Sequence, residues 1–341
     1  MFNLIHHKKR KKIVILGAIF FIFIFLILSL KVFKHYPLKI DLEHQSGEFG
    51  ATFSKKFAQE LELDFKETYQ AILDDLKIRY LRLPAYWDEI EKEDGVYDFE
   101  DMDYLVNEAS ARDAKIIISL GRRQPRWPEC HSPAWTNKKS VTKNQASLLK
   151  LIEIVVLRYK NNPNIIYWQV ENEPFLGTFG VCPKFDEMFF EREIALVKSL
   201  DSRPVIITGS GEMSSFRKEA KAGDILGVTM YRVVYNNWFG YVRYFFPNSF
   251  YRLKTYLAGV KPRETINMEL QTEPWVPQGK MIYLTQKQID KSMSLKQFRA
   301  NLQYAINTGF KQTYVWGVEW WYWQKLYGNE AYWELGKTLF D

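Results

Sequence analysis

The chain has 341 residues, an apolar fraction of 47% and a formal net charge of +7. This length allows one large domain or two ordinary ones, and the apolar content is that of a globular protein with a sizeable core. Seven basic residues and no acidic ones lie within residues 1–34, so the other 307 residues are formally neutral. The basic charge therefore belongs to an N-terminal leader, and we do not expect nucleic acid to be a partner of the folded body.

The leader has the pattern of a membrane anchor. A basic run from Lys8 to Lys12 precedes an apolar stretch of 18 residues, Ile13 to Leu30, and about 17–25 such residues span a bilayer. A cleaved signal peptide is the alternative, but no small-x-small cleavage pattern follows the stretch. We predict a cytoplasmic tail (1–12), a transmembrane signal anchor (13–30), a linker (31–45) and one extracytoplasmic domain (46–341) of a single-pass protein of the cell membrane.

The chain has two cysteines, Cys130 and Cys182. Neither shows the spacing of metal ligands, so the sequence predicts no metal and no cofactor. Outside the cytoplasm the pair could form a disulfide or remain as two free thiols, and the spacing does not separate these cases. The sequence likewise leaves the oligomeric state open.

After the leader, β-rich runs alternate with helical patterns. The runs are mostly continuous rather than alternating in hydrophobicity, which is typical of parallel strands covered on both faces. The predicted strands are Phe49–Phe53, Tyr80–Pro84, Lys115–Leu120, Ile165–Glu171, Val205–Thr208, Ile225–Met230, Thr265–Leu270 and Thr313–Gly317. Eight strand-helix units over this length predict a (β/α)8 barrel, in which the chemistry lies at the C-terminal ends of the strands.

A carboxylate follows the predicted fourth strand. The strand ends in Glu171-Asn172-Glu173-Pro174, and the proline must stop the strand because it donates no ladder hydrogen bond. Glu173 is therefore expected at the mouth of the barrel. Cleavage of a glycosidic bond needs two carboxyl groups, one protonated and one ionised, and Glu173 would be the acid.

The predicted seventh strand supplies the second carboxylate. Period-two geometry places Glu269, Gln271 and Glu273 on one side of this segment. Glu269 ends the apolar run, whereas Glu273 lies in the following loop. We favour Glu269 as the nucleophile and keep Glu273 as the alternative.

These segments resemble clan A glycoside hydrolases. The resemblance rests on the Asn172-Glu173-Pro174 ending after Trp168 and on Met268-Glu269 three units later. The segment from Leu83 to Phe99, which contains YWDEIE and GVYDF, is similar to family 42 β-galactosidases and related family 5 enzymes. The resemblance implies a retaining mechanism, in which Glu269 attacks the anomeric carbon while Glu173 serves as acid and then as base.

The same resemblance implies roles for further residues. Asn172 would bond the sugar 2-hydroxyl, Arg82 would orient Glu269, and Tyr231 would hydrogen-bond to it. Arg82 could instead neutralise Glu171 inside the barrel, and Tyr231 could belong to the core. A tryptophan at the end of the eighth strand, Trp316 or Trp320, would form a sugar platform. Apart from the resemblance, we expect Trp127 after the third strand to line a carbohydrate cleft or to wedge its loop shut.

The expected partner is a β-linked carbohydrate. Two other functions fit the same residues: a catalytically silent barrel that binds glycan, and a transglycosylase that remodels envelope glycan. The sugar, the linkage and the choice between internal and terminal cleavage stay open.

Overall fold

Eight short runs rich in Ile, Val and Leu form parallel strands that close into a barrel in the computed structural model, which describes residues 49–340. Each strand pairs with its neighbours in the chain, and the first also pairs with the eighth. The strands are Phe49–Thr52, Tyr80–Pro84, Lys115–Leu120, Ile165–Val170, Val205–Gly209, Ile225–Met230, Ile266–Gln271 and Gln312–Trp316. The predicted (β/α)8 barrel is confirmed, and every predicted strand end lies within one residue of the observed one.

The strands are apolar on both faces because both faces are covered. Ile116 and Ile118 on the third strand join the large core between barrel and helices. The intervening Ile117 joins a smaller cluster that fills the barrel interior. That cluster consists of Ile117, Ile206, Ile266, Met268 and Tyr314. The polar side chains at the C-terminal ends of the strands therefore stand above a packed apolar cluster.

The helices surround the barrel. They are Lys55–Glu60, Phe65–Asp74, Trp87–Ile90, Glu100–Ser110, Val141–Tyr159, Glu187–Leu200, Arg217–Ala222, Asn248–Leu257, Gln286–Met293, Leu295–Ile306, Val318–Leu326 and Ala331–Lys337, and short 3₁₀ turns are Ala134–Lys138, Pro262–Glu264 and Met281–Tyr283. The Asp64 side chain accepts from the backbone amide of Glu67 at 2.9 Å and caps the second helix, as its sequence pattern predicts.

An antiparallel hairpin that the sequence analysis missed follows the sixth barrel strand. Its strands are Val233–Asn236 and Gly240–Arg243. Trp238 and Phe239 at its turn are strongly exposed. The hairpin therefore adds an aromatic wall beside the C-terminal ends of the barrel strands.

The predicted tail, anchor and linker (1–12, 13–30 and 31–45) lie outside the described residues. Within residues 49–340, no helix combines the length and the hydrophobicity that a bilayer crossing requires. The described residues belong to a single compact unit.

Candidate active site

A cavity of about 940 Å³ opens at the C-terminal ends of the barrel strands. Loops after the third to the eighth strands contribute to its wall, as does the hairpin. Glu173, Glu269, Tyr231, Trp316 and Trp127 all line it. The end of the barrel where parallel-barrel enzymes place their chemistry therefore holds both predicted catalytic carboxyl groups in one cavity.

Glu173 lies in the turn that follows the fourth strand, and its backbone is in a left-handed conformation. Its φ angle is +46°, in the left-handed region that non-glycine residues rarely adopt. Its backbone amide donates to the Thr208 hydroxyl at 2.8 Å, and the Thr229 hydroxyl donates to its carboxyl group at 2.8 Å. Burial and the negative charge of Glu269 raise the pKa of Glu173 to about 8. Glu173 is therefore protonated at neutral pH, as an acid catalyst must be.

Glu269 on the seventh strand is buried, and each of its carboxylate oxygens has a partner. Arg82 donates from Nη1 to Oε1 at 2.8 Å, and the Tyr231 hydroxyl donates to Oε2 at 2.8 Å. Burial and the charge of Glu269 hold the pKa of Tyr231 well above its usual value, so this phenol keeps its proton. The two side chains that the resemblance assigned to Glu269 do contact it.

Arg82 also fixes the orientation of Asn172. Its Nη2 donates to Asn172 Oδ1 at 2.7 Å, which turns the amide nitrogen of Asn172 the other way. Asn172 itself is only 2% exposed. The alternative that Arg82 neutralises Glu171 is wrong, because the Glu171 carboxylate accepts from the backbone amides of Arg122 and Arg123 instead.

Glu273, the alternative nucleophile, is held in a different ion pair. Arg126 donates from Nη1 to Glu273, and its Nη2 lies 3.3 Å from Glu319. The guanidinium of Arg126 is sandwiched between the rings of Phe57 and Trp316, with 3.5 and 4.0 Å to their centroids. Glu273 therefore belongs to a structural network at the side of the cavity.

The predicted tryptophans separate into two groups. Trp316 and Trp127 line the cavity, and Trp127 is 64% exposed with its ring against that of Phe179. Trp320 is fully buried and packs on Tyr332, with 4.6 Å between the ring centroids. Of the two alternatives for the sugar platform, Trp320 lies in the helical layer, and Trp316 lines the cavity where a ligand would bind.

The sequence analysis missed Glu129, one of several further carboxyl groups that line the cavity. It follows the third strand, in a loop whose Cys130 forms a disulfide with Cys182 of the next strand's loop. Its backbone φ angle is +73°. Burial and the charges of Glu269 and Glu173 hold its pKa well above the usual value. The one signal in the sequence was an acidic residue within the aromatic and proline-rich run after the third strand.

No group of three or more His, Cys, Asp or Glu side chains within residues 49–340 is arranged to hold a metal ion. The arrangement can do acid–base and nucleophilic chemistry with carboxyl groups of its own. One carboxyl group carries a proton at neutral pH, and a second is oriented by an arginine and a tyrosine.

A closed parallel barrel that presents two buried carboxyl groups in one cavity at its C-terminal end is the architecture of a clan A glycoside hydrolase. The cellulase model of glycosyl hydrolase family 5 matches residues 49–256. The chain belongs to this family. Glu173 lies within the matched range, and Glu269 follows it.

Solved structures share the fold at low sequence identity. A β-galactosidase from Rahnella sp. R3 is 14% identical with a TM-score of 0.55, covering 83% of this chain and 52% of that one. GH5_18 from Streptomyces cattleya, in complex with GlcNAc, is 13% identical with a TM-score of 0.55 over 80% and 70%. Xylanase 10B from Thermotoga petrophila, in complex with xylobiose, is 16% identical with a TM-score of 0.53 over 82% and 84%. The chain spans about half the length of the β-galactosidases. No curated protein matches its sequence.

Proposed function

We propose that the protein is a retaining β-glycosidase or endo-glycanase, with Glu173 as the acid/base and Glu269 as the nucleophile. The observation that carries the proposal is the unequal environment of the two carboxyl groups. The pKa of Glu173 is raised to about 8, whereas the carboxylate of Glu269 accepts hydrogen bonds from the guanidinium of Arg82 and the phenol of Tyr231. Two carboxyl groups set apart in this way are the requirement for glycosidic cleavage.

The two steps follow from these positions. Glu269 attacks the anomeric carbon, the bond from this carbon to the leaving oxygen breaks, and Glu173 gives its proton to that oxygen. In the second step Glu173 takes a proton from water, the water oxygen bonds to the anomeric carbon, and the ester to Glu269 breaks. Arg82 and Tyr231 hold the carboxylate oxygens of Glu269. Asn172 would bond the sugar 2-hydroxyl, and Trp316 and Trp127, which line the cavity, would provide aromatic faces for sugar rings.

A covalent trap tests the nucleophile. A 2-deoxy-2-fluoro aryl β-glycoside slows the second step, so the glycosyl-enzyme accumulates. We expect mass spectrometry of the digested protein to place the label on Glu269. A label on Glu273 would refute the assignment, and proton NMR that shows inversion of the first-formed product would refute retention.

Variants test the acid and separate the rival functions. Glu173→Gln should abolish hydrolysis of aryl β-glycosides with poor leaving groups, whereas Glu60→Gln, an exposed carboxyl group at the same cavity, should not. A glycan that binds to the wild type without turnover would favour a silent binding barrel. Products longer than the substrate would favour a transglycosylase.

We also propose that this domain acts outside the cytoplasm on an oligo- or polysaccharide and is tethered by residues 13–30. The Cys130–Cys182 disulfide supports an oxidising compartment. Membrane fractionation, followed by protease treatment of intact cells, tests this location. A protein that stays in the soluble cytosolic fraction would contradict it.

A further inference from the structure

Gln271 is a buried amide on the seventh strand, and the proposed reaction gives it no task. It stands two residues after Glu269 and on the same side of the strand, since side chains alternate along a strand. It lines the cavity, yet it is only 1% exposed. Burying an amide costs free energy unless its polar atoms find partners, so the partners of Gln271 indicate what the residue does.

The Gln271 side chain binds the two residues that follow Tyr231. Its Oε1 accepts from the backbone amides of Arg232 and Val233, at 2.8 and 2.9 Å. Its Nε2 donates to the carbonyl oxygen of Val233 at 2.7 Å. A glutamine amide carries the same kinds of donor and acceptor as a peptide group, so it can take the place of a neighbouring strand.

The Gln271 side chain acts at the point where the sixth and seventh strands separate. Their ladder ends with Met230 opposite Leu270. From Tyr231 onward the chain leaves the barrel for the hairpin, whereas the backbone of Gln271 pairs with Trp316 of the eighth strand. The side chain of Gln271 therefore extends, by one further step, a contact between two strands whose backbones no longer pair.

Other contacts hold Tyr231 from its remaining sides. Its backbone amide donates to Glu212 Oε1 at 3.0 Å, and its ring meets the ring of Trp275 edge to face, with 5.6 Å between the centroids. The amides of residues 231–233 are thus all received by side chains. Of these two acceptors, Gln271 is the one that shares a strand with Glu269.

Gln271 and Tyr231 close a circuit of contacts with Glu269. The Tyr231 hydroxyl donates to Glu269 Oε2 at 2.8 Å. The backbone of Tyr231 continues into Arg232, whose amide Gln271 binds, and the strand leads from Gln271 back to Glu269. Both ends of the bond between Tyr231 and Glu269 are therefore tied to the same strand. A shift of the phenol away from the carboxylate would stretch the contacts of Gln271.

We propose that Gln271 is a positioning residue, which fixes the Tyr231 phenol against the attacking carboxylate of Glu269. The inference rests on the proposed function, in which Glu269 is the nucleophile. Gln271 does this without touching the sugar, because it acts through Tyr231. A misplacement of about 1 Å in an active site can slow a reaction by about 100-fold, so loosening the backbone of Tyr231 should slow the attack.

A double-mutant cycle tests whether Gln271 acts through Tyr231. Gln271→Met keeps the length of the side chain and removes its hydrogen bonds to Arg232 and Val233. The substrate is the 4-nitrophenyl β-glycoside that the wild type cleaves best among those of mono- and disaccharides. We expect Gln271→Met to lower kcat by roughly 10-fold. In the Tyr231→Phe background, the same change should lower kcat by less than about threefold, because the hydrogen bond that Gln271 positions is already missing.

Two further measurements separate positioning from an effect on the fold. The rate at which a 2-deoxy-2-fluoro aryl β-glycoside labels the protein reports the attack directly, and the amount of label counts the active molecules. Gln271→Ala repeats the cycle without the bulk of methionine. Gln303→Met is the matched control: Gln303 donates to Asn307 at 2.9 Å on an outer helix, and its replacement should leave kcat and the labelling rate unchanged.

The possible outcomes distinguish the inference from the proposed function. Equal losses of kcat in the wild-type and Tyr231→Phe backgrounds overturn the inference, because Gln271 would then act on the sugar or on the fold. An unchanged kcat in Gln271→Met overturns it as well. So does a failure of both Gln271 variants to fold, since the residue would then hold the barrel itself. A wild type that cleaves none of the glycosides refutes the proposed function, whereas the other outcomes refute this inference in an active protein.

Discussion

Replacing each of the two proposed catalytic glutamates, Glu173 and Glu269, with glutamine should change the free energy of unfolding in opposite directions. Glu173 is a buried acid whose pKa is raised from 4.5 to about 8. Glu269 is a buried carboxylate opposite the guanidinium of Arg82. Glutamine keeps the shape of both side chains and removes the ability to carry charge. The two variants therefore test the assigned charge states without any assay of activity.

The magnitude for Glu173 follows from the raised pKa. A group whose pKa is higher in the folded state contributes stability that is complete below its unfolded pKa of about 4.5 and is lost as the pH rises through about 8. At about 1.36 kcal/mol per pH unit, the loss between these values is on the order of 5 kcal/mol. Glu173→Gln does not titrate and escapes this loss. We expect it to match the wild type near pH 4.5 and to be more stable at pH 9, by up to about 5 kcal/mol.

Glu269→Gln should be destabilising instead. It leaves the fully buried guanidinium of Arg82 without its counter-charge, and breaking a buried pair in this way costs about 3–5 kcal/mol. A measurement at pH 6, below the raised pKa of Glu173, keeps the titration of Glu173 in the wild type out of the comparison.

Denaturant unfolding from pH 4.5 to pH 9 measures both effects. The linear dependence of unfolding free energy on urea gives the stability of each variant at each pH. If the free energy of unfolding depends on pH in the same way for the wild type and for Glu173→Gln, Glu173 loses its proton as easily in the folded as in the unfolded chain. A stable Glu269→Gln would show that Arg82 does not depend on that carboxylate. Either result refutes the assigned roles.

Three further predictions concern activity and the cavity rim. Hydrolysis needs Glu173 protonated, so a pH profile of kcat/KM should fall above about pH 8; a plateau to pH 10 would contradict this. Tyr231→Phe removes the 2.8 Å hydrogen bond to Glu269, and steady-state kinetics should show a kcat lower by roughly 10-fold or more. An unchanged kcat would contradict the role of Tyr231 in holding Glu269. Replacing Cys130 and Cys182 by serine removes a cross-link between residues 52 positions apart, and urea unfolding should show a free energy of unfolding lower by about 2–4 kcal/mol. A decrease below about 1 kcal/mol would mean that other contacts hold the two loops.

The barrel could be predicted from the sequence because each of its strands and helices has a pattern that lies within a short stretch of the chain. Parallel strands covered on both faces are continuous apolar runs, and the loops between them carry clear helix signals. Glu173 and Glu269 could be located because a strand end can be read from the residues that stop the apolar run. The chain after the sixth strand was harder, since the hairpin strands Val233–Asn236 and Gly240–Arg243 are too short for a periodic pattern.

Side chains whose placement depends on the chain's path through a loop could not be predicted in the same way. Trp316 is the last residue of the eighth strand and Trp320 lies in the helix after it, and Gly317 turns the backbone between them with a φ angle of +124°. One ring therefore reaches the cavity while the other enters the helical layer. Glu129 depends on contacts with residues distant in the sequence, such as Asn172, and these appear only when the barrel closes.

The Cys130–Cys182 cross-link has a practical consequence for making this enzyme. It joins the loops after the third and fourth strands, which carry Trp127 and Phe179 at the cavity rim. Glu269 and Arg82 stand on barrel strands and need no cross-link. We therefore expect protein purified from a reducing host cytosol to keep the Arg82–Glu269 contact but to bind glycans less tightly, so that export to the periplasm is the better route for recombinant protein.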